Sequence, residues 1–182
     1  MYVWARLART LLTRRQRGVY RIGEECALNF RCLPTDIDPN LHLNNARYMM
    51  LADVGRIDLY VRSGMFGVTR RRGWSTLMGG LQTVYAREVK LWSRFSVVSS
   101  METFEDRQLF GRHRFILEDG TTAAVVLTTA GIYDRGNRSF IAIGDVLAAL
   151  GQPSTQPRPL SENERVFAHS HDVQRRWAKG PH

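Results

Sequence analysis

The sequence lacks most of the short motifs by which common enzyme classes are recognised. Its 182 residues contain no Walker phosphate loop, no GxGxxG, no CxxC and no G-x-S-x-G. These absences argue against nucleotide hydrolysis, dinucleotide redox chemistry and serine hydrolase chemistry. No window approaches the roughly 18–20 uninterrupted apolar residues that a membrane-spanning helix needs. Arginines also interrupt the first apolar residues, which predicts that the chain carries no secretory signal.

Cysteine is scarce as well. Cys26 and Cys32 are the only two, and both fall in one predicted strand. At about 3.3 Å per residue they lie roughly 20 Å apart, which is too far for a disulfide. So few cysteines favour a reducing compartment, and we therefore expect a cytoplasmic location. The hydrophobic share of 43% supplies core residues for one domain.

Acidic residues are missing from the beginning of the chain, and this explains most of the net charge of +9. Residues 1–21 carry six arginines and no acid, whereas residues 22–151 carry 15 basic and 14 acidic residues. The folded body is therefore nearly neutral. Because no nucleic-acid-reading motif accompanies the charge, we predict no nucleic-acid partner.

Composition and patterning divide the chain into three parts. Residues 1–19 form a basic amphipathic segment, 20–151 the folded body, and 152–182 a proline-rich linker with a C-terminal tail. Residues 2–14 predict a helix with an apolar stripe at Trp4, Leu7, Ala8 and Leu11. Two interpretations stay open: residues 2–17 rest on an anionic membrane at its inner surface, or the helix docks on the protein body or a neighbouring subunit.

The body predicts one helix and several strands. The helix spans 45–61 with a cap at Asn44, and its apolar residues cover most of its circumference. Strands are predicted at 20–33, 81–90, 95–105, 108–118 and 121–133, with a helical turn at 145–150 and a capped helix from Ser161. A helix that is so apolar needs a sheet curled around it. The predicted class is therefore α+β, in the hot-dog arrangement.

The densest polar cluster is the run DIDPNLHLNNARY at 36–48. It places two carboxylates, a histidine and two asparagines just before the N-terminus of the predicted helix, where backbone N–H groups are free. Such a point stabilises an oxyanion, and a nearby carboxylate can attack a carbonyl or activate water. Plain turn formation and helix capping explain the same residues without any chemistry.

This run closely resembles the signature of the 4-hydroxybenzoyl-CoA thioesterase-like hot-dog family. It is most similar to the branch with bacterial acyl-CoA thioesterases and thioesterase superfamily member 6-like proteins. The resemblance extends over about 20–150 and includes Arg72-Gly73-Trp74 and Gly80-x-Gln82-Thr83. One position departs from it: Leu41 stands where many members have glycine. Because Leu resists a positive φ, we expect a different loop here.

The resemblance implies an acyl-CoA thioesterase, with Asp38 as nucleophile or general base and the Asn45 backbone N–H at the oxyanion. His42, Asn44, Tyr48 and Gly80 would shape the loop or bind substrate. It implies no metal and no cofactor besides the coenzyme A of the substrate. A homodimer or homotetramer is expected, with the partner subunit completing the site.

Other residues carry weaker hypotheses. Arg70, Arg71 and Arg72, in a predicted loop, either bind the phosphates of coenzyme A or are solvated. His113 is predicted to be a core histidine, and His169 and His171 to lie in a solvated tail. Gly79-Gly80 predicts a bulge or the close approach of a ligand.

Two alternative functions stay open. The first is a non-catalytic hot-dog module that binds acyl groups or tethers the protein to a membrane or partner. The second is an enoyl-CoA hydratase that pairs Asp36 with His42. The second is disfavoured because His42 lies one residue, about 3.5 Å, beyond the spacing which that pattern needs.

Overall fold

A computed structural model of the protein describes residues 3–153, 155–178 and 180. A sheet of antiparallel strands has the order β1-β3-β4-β5-β2, with β6 paired to β5. The elements are α1 (Trp4–Leu12), a 3-10 turn (Arg14–Arg17), β1 (Glu25–Arg31), α2 (Asn45–Arg62), α3 (Met65–Arg72), β2 (Trp74–Tyr85), β3 (Arg94–Glu105), β4 (Gln108–Leu117), β5 (Thr122–Asp134), β6 (Ser139–Ile141), α4 (Ile143–Ala149) and α5 (Glu162–Ala178).

The long helix α2 lies against the curled sheet. Its side chains Leu51, Val54 and Leu59 are at most 1% exposed, and α2 packs mainly against β3. Phe95 and Phe115 meet it from the sheet as part of one apolar cluster. The predicted α+β arrangement of a sheet around one apolar helix is confirmed.

The helix and the sheet approach each other closely at Gly55. A Cβ at this position would overlap Ser99 Oγ and lie 3.7 Å from His113 Nδ1. Ser99 Oγ and His113 Nδ1 share a buried hydrogen bond of 2.8 Å. The absent side chain therefore lets the helix lie directly over a polar pair on β3 and β4. His113 is a core histidine, as predicted.

Several boundaries differ from those predicted. Arg70, Arg71 and Arg72 lie in the last turn of α3 rather than in a loop. The strand predicted at 81–90 runs instead from Trp74 to Tyr85, and its pairing with β5 shifts register between Met78 and Gly80. The first strand is shorter than predicted because residues before Glu25 turn at Gly23, where φ is 95°.

The N-terminal helix docks on the body. Val3 and Thr10 are buried, while Arg6 and Arg17 form ion pairs with Asp36 and Asp58. The predicted stripe is confirmed only in part: Leu7 and Leu11 are half-buried, whereas Ala8 is exposed and Trp4 is 65% exposed. Tyr2, the first residue of the predicted helix, lies outside the described residues.

The C-terminal segment packs back as α5, which corrects the predicted solvated tail at His171. The predicted capping box forms: Ser161 N–H donates to Glu164 Oε2 at 2.8 Å, and Glu164 N–H faces Ser161 Oγ at 3.4 Å. His171 Nε2 lies 2.7 Å from Gly79 O. A Cβ on Gly80 would meet the His171 ring at 2.7 Å, so this close approach comes from α5.

Two helical glycines should respond oppositely to replacement by alanine. Gly55→Ala should destabilise the protein by about 1–3 kcal/mol, because the methyl group overlaps Ser99 in a packed core. Gly144→Ala in α4 is the matched control, since nothing lies within 4 Å of its Cβ position. It should stabilise the protein by zero to about 1 kcal/mol. Urea unfolding measures both; equal effects would contradict the close approach.

Candidate active site

Residues 36–44 form a short hairpin that leads into α2. Asn44 N–H donates to Asp36 O at 2.8 Å, and Asp38 N–H donates to His42 O at 3.1 Å. Leu43 N–H donates to Val89 O at 2.8 Å, which attaches the hairpin to the segment before β3. The hairpin is therefore fixed on both sides by backbone hydrogen bonds.

Asp38 lies at the tip of this hairpin. Its Oδ1 accepts the N–H of Asn40 at 2.9 Å and lies 3.6 Å from His42 Nδ1. Its side chain is 15% exposed and that of His42 is 29% exposed. Oδ2 has no hydrogen-bond partner within the part of the chain that the structure describes. One carboxylate oxygen is thus oriented by the backbone, and the other is available to a water or a carbonyl carbon.

The start of α2 supplies backbone donors beside the hairpin. Asn44 caps the helix as predicted, since its Oδ1 accepts the N–H of Ala46 at 2.9 Å. The Asn45 N–H has no acceptor among residues 3–153, 155–178 and 180. Asn45 follows His42 by three positions, a chain length of at most about 11 Å. The positive end of the helix thus adjoins the Asp38 hairpin.

Asp36 is held in a different way. Its side chain is 3% exposed, with Oδ2 2.5 Å from Arg6 and 2.9 Å from the Leu33 N–H. Arg47 lies 3.9 Å from the other oxygen, Oδ1. His42 faces Asp38 rather than Asp36, so the structure does not bring together the pair that a hydratase needs. Asp36 instead fixes the base of the hairpin.

Tyr48 packs in the core next to the hairpin. It is buried beside Tyr85 and Phe115, with ring centroids 5.1 and 4.9 Å away. Burial raises its pKa to about 12, although a hydrogen bond with the Val89 backbone opposes that shift. Val89 also holds Leu43. Tyr48 therefore lies in the core beneath the loop.

Leu41 adopts the conformation that the sequence argued against. Its φ is 63°, in the left-handed region, and its side chain is 66% exposed. Leu41 N–H donates to Asp38 O at 3.0 Å, which closes the turn. The hairpin thus accepts leucine at the cost of backbone strain.

The other site candidates lie elsewhere. Gly80 is on the edge strand β2 under His171. Arg70, Arg71 and Arg72 follow the C-terminus of α2, whose 18 residues span about 27 Å. Arg72 stacks on Trp74, with its guanidinium carbon 4.9 Å from the ring centroid. Within one protomer the structure does not bring these arginines to Asp38.

The two residues that brace the hairpin, Arg6 and Val89, could not be predicted from the sequence. Arg6 comes from a segment thirty residues away, and Val89 from the connection before β3. No local spacing signals either contact.

The described residues contain no group of three or more His, Cys, Asp or Glu side chains that could hold a metal. None of the helices described is long and apolar enough to cross a membrane.

A curled antiparallel sheet around a buried helix, with a carboxylate hairpin at that helix's N-terminus, defines a protein of the hot-dog class. Two solved structures share this fold. YbaW from Escherichia coli superposes with a TM-score of 0.64 at 20% identity, covering 71% of this chain and 98% of its own. SAV2348 from Staphylococcus aureus, described in complex with CoA, gives 0.62 at 18% identity, covering 80% and 94%.

The chain belongs to the thioesterase-like superfamily, whose profile matches residues 32–163. Protein THEM6 of Xenopus laevis is 33% identical over 97 residues, which are 53% of this chain and 47% of that protein. The chain thus spans about half the length of the curated relatives it matches. The resemblance found in the sequence is confirmed.

Leu41→Gly should relieve the strain in the hairpin. The left-handed conformation costs a non-glycine residue about 1–2 kcal/mol, and glycine loses about 0.5–1 kcal/mol of chain entropy. We expect a stabilisation of up to about 1 kcal/mol by thermal or urea unfolding. Leu77→Gly, in β2, is the control at ordinary φ and should destabilise the protein; a loss in both variants would contradict the strain.

Proposed function

We propose that the protein hydrolyses an acyl-CoA thioester to a free acid and CoA. The observation that carries the proposal is the hairpin with Asp38, which leads directly into the N-terminus of α2, where the Asn45 N–H has no acceptor among the described residues. A carboxylate and an oxyanion donor are the two groups that thioester hydrolysis needs at one carbonyl. Membership of the thioesterase-like superfamily supports this chemistry.

Two routes are compatible with this arrangement. As a general base, Asp38 takes a proton from water, and the resulting hydroxide attacks the thioester carbonyl. As a nucleophile, it attacks the carbonyl itself and forms a mixed anhydride that water then hydrolyses. In both routes the negative charge develops on the carbonyl oxygen, which the Asn45 N–H stabilises. The carbon–sulfur bond then breaks, and the CoA thiolate takes up a proton.

Asp38→Asn tests the assignment. The amide can neither accept a proton from water nor form an anhydride, so turnover should fall by about 10²–10⁴. Release of free thiol is followed over acyl-CoAs of several chain lengths. Asp172→Asn on α5 is the matched surface control and should keep normal turnover.

The outcomes separate the alternatives. Normal thiol release by Asp38→Asn would end the catalytic role of Asp38. Saturable binding of acyl-CoA without thiol release by the wild type would favour a non-catalytic acyl-binding module.

Asp36→Asn should lower the stability of the protein, because it weakens the contact with Arg6. The melting temperature measures this loss.

The edge strand β2 supports a homo-oligomer. Its side chains Leu77, Leu81, Val84 and Tyr85 are each at least 42% exposed, and β2 is the last strand of the sheet path. A strand that is paired along only one edge and has exposed apolar residues is a natural site for pairing with another chain. We propose a homodimer or homotetramer in which a second subunit completes the site.

Peripheral membrane contact is a further part of the proposal. Because α1 docks on the body, only its outer face is available, where Trp4 and Leu12 project beside Arg9. An apolar face with flanking arginines favours an anionic lipid surface. The proposed location is cytoplasmic, with contact at the inner membrane surface.

Trp4→Ser/Leu12→Ser tests this contact. The two side chains are 65% and 81% exposed, so the double variant should keep the fold but lose most sedimentation with vesicles of phosphatidylglycerol and phosphatidylcholine. The matched control is Val166→Ser/Val173→Ser, which removes two exposed apolar residues from α5. Equal sedimentation by the wild type and the α1 variant would contradict membrane contact through this helix.

A further inference from the structure

A wide groove separates α1 from β1 at the edge of the sheet. It encloses about 820 Å³ and is lined by fourteen residues, among them Arg6, Arg9, Arg17, Arg31 and Arg94. Five of these residues are arginines, and none is acidic. We call this the α1–β1 groove. Its volume falls in the range of small-molecule sites, about 300–1,000 Å³.

Two of the arginines are already neutralised. Arg6 pairs with Asp36, and Arg17 pairs with Asp58. Arg9, Arg31 and Arg94 form no ion pair with any residue of the described ranges. The groove therefore keeps an excess of three positive charges at a concave surface.

Arg31 and Arg94 are directly opposite each other on β1 and β3. Residues in this relation project from the same face of an antiparallel pair, so the two guanidinium groups are neighbours. The adjacent pair, Phe30 and Phe95, faces the core with ring centroids 6.0 Å apart. Like charges placed opposite one another repel and destabilise the fold. An anion bound between the two arginines would turn this repulsion into attraction.

The groove is connected to the Asp38 hairpin by the segment 90–94. At one end Lys90 bridges to His42, and at the other Arg94 pairs with Arg31. On the β1 side, Leu33 lines the groove and lies at most about 18 Å along the chain from Asp38. An elongated ligand can therefore reach both places.

Trp92 stands in the middle of this segment. Its φ is 67° and its side chain is 54% exposed, although its N–H is held by Cys32 O at 2.9 Å. A bulky residue in the left-handed region is a strained position, which marks functional sites more often than ordinary loops. The segment therefore carries an exposed aromatic side chain two residues before Arg94, which lines the groove.

We propose that the α1–β1 groove binds the phosphate groups of the coenzyme A part of the substrate through Arg9, Arg31 and Arg94, with Trp92 stacking on the adenine ring. The inference rests on the proposed thioesterase function and identifies the end of the substrate that lies away from Asp38. Arginine matches phosphate oxygens geometrically, and Trp stacks readily on a base. It replaces Arg70, Arg71 and Arg72 as the phosphate site within one protomer.

Calorimetric titration with free CoA tests the groove without requiring turnover. Arg31→Ala/Arg94→Ala should weaken CoA binding by at least about tenfold, the effect of losing charge-assisted hydrogen bonds. The melting temperature of this double variant should equal or exceed that of the wild type, because the repulsion between the two guanidinium groups is removed. Arg175→Ala/Arg176→Ala removes the same charge from α5 and should bind CoA as the wild type does. Arg9→Ala gives a second variant whose folding is secure, because the Arg9 side chain lies on the exposed face of α1.

Two further arms separate the sources of phosphate and the two proposals. In the wild type, an N-acetylcysteamine thioester, which has no phosphate, should have a KM at least about tenfold above that of the corresponding acyl-CoA, because it cannot use the groove. Unchanged CoA affinity in both groove variants, or no CoA binding by the wild type, overturns the inference even if thiol release is normal. Loss of vesicle sedimentation with unchanged CoA affinity also overturns it and assigns the arginines to lipid phosphate. Weakened CoA binding in a protein that releases no thiol supports the groove and removes the thioesterase proposal.

Discussion

The close approach of α2 to the sheet at Gly55 is the contact on which the rest of the structure depends. A helix buried in a curled sheet needs one place where its backbone comes near the strands, and here it lies over Ser99 and His113. Burial, and secondarily the charge of Arg56, lower the His113 pKa to about 3, so the imidazole is neutral near pH 7. A neutral ring can share the hydrogen bond with Ser99 without burying a charge. This contact fixes the position of α2, and hence where its N-terminus emerges.

Two buried carboxylates then fix what surrounds that helix. Asp58, in the second half of α2, is completely buried and is paired with Arg17 and Arg62. Asp36, at the base of the hairpin, is paired with Arg6. Because a buried carboxylate that loses its partner is costly, the N-terminal segment is part of the folded body. Part of the positive charge at the beginning of the chain therefore neutralises the body, and only the remainder faces solvent.

Two of the four non-glycine residues with positive φ in the described part of the chain lie close to the candidate site. Leu41 closes the hairpin that carries Asp38, and Trp92 lies on the segment that joins this hairpin to the α1–β1 groove. Both have positive φ values without being glycine. Hydrogen bonds to Asp38 O and Cys32 O hold them there. The rigid helix and sheet thus support two loops in conformations that their residues do not favour.

The sequence by itself determined the α+β class, the apolar central helix with its Asn44 cap, three of the long strands and the hairpin residues around Asp38. Those features depend on periodicity, capping and turn chemistry, which are local. Only the tertiary structure decided which carboxylate is braced by Arg6, which face of α1 is buried, that His171 packs on β2, and that Arg31, Arg94 and Trp92 gather beside the hairpin. These contacts join residues far apart in the chain, and no local pattern encodes the direction in which a helix or strand turns toward a distant partner.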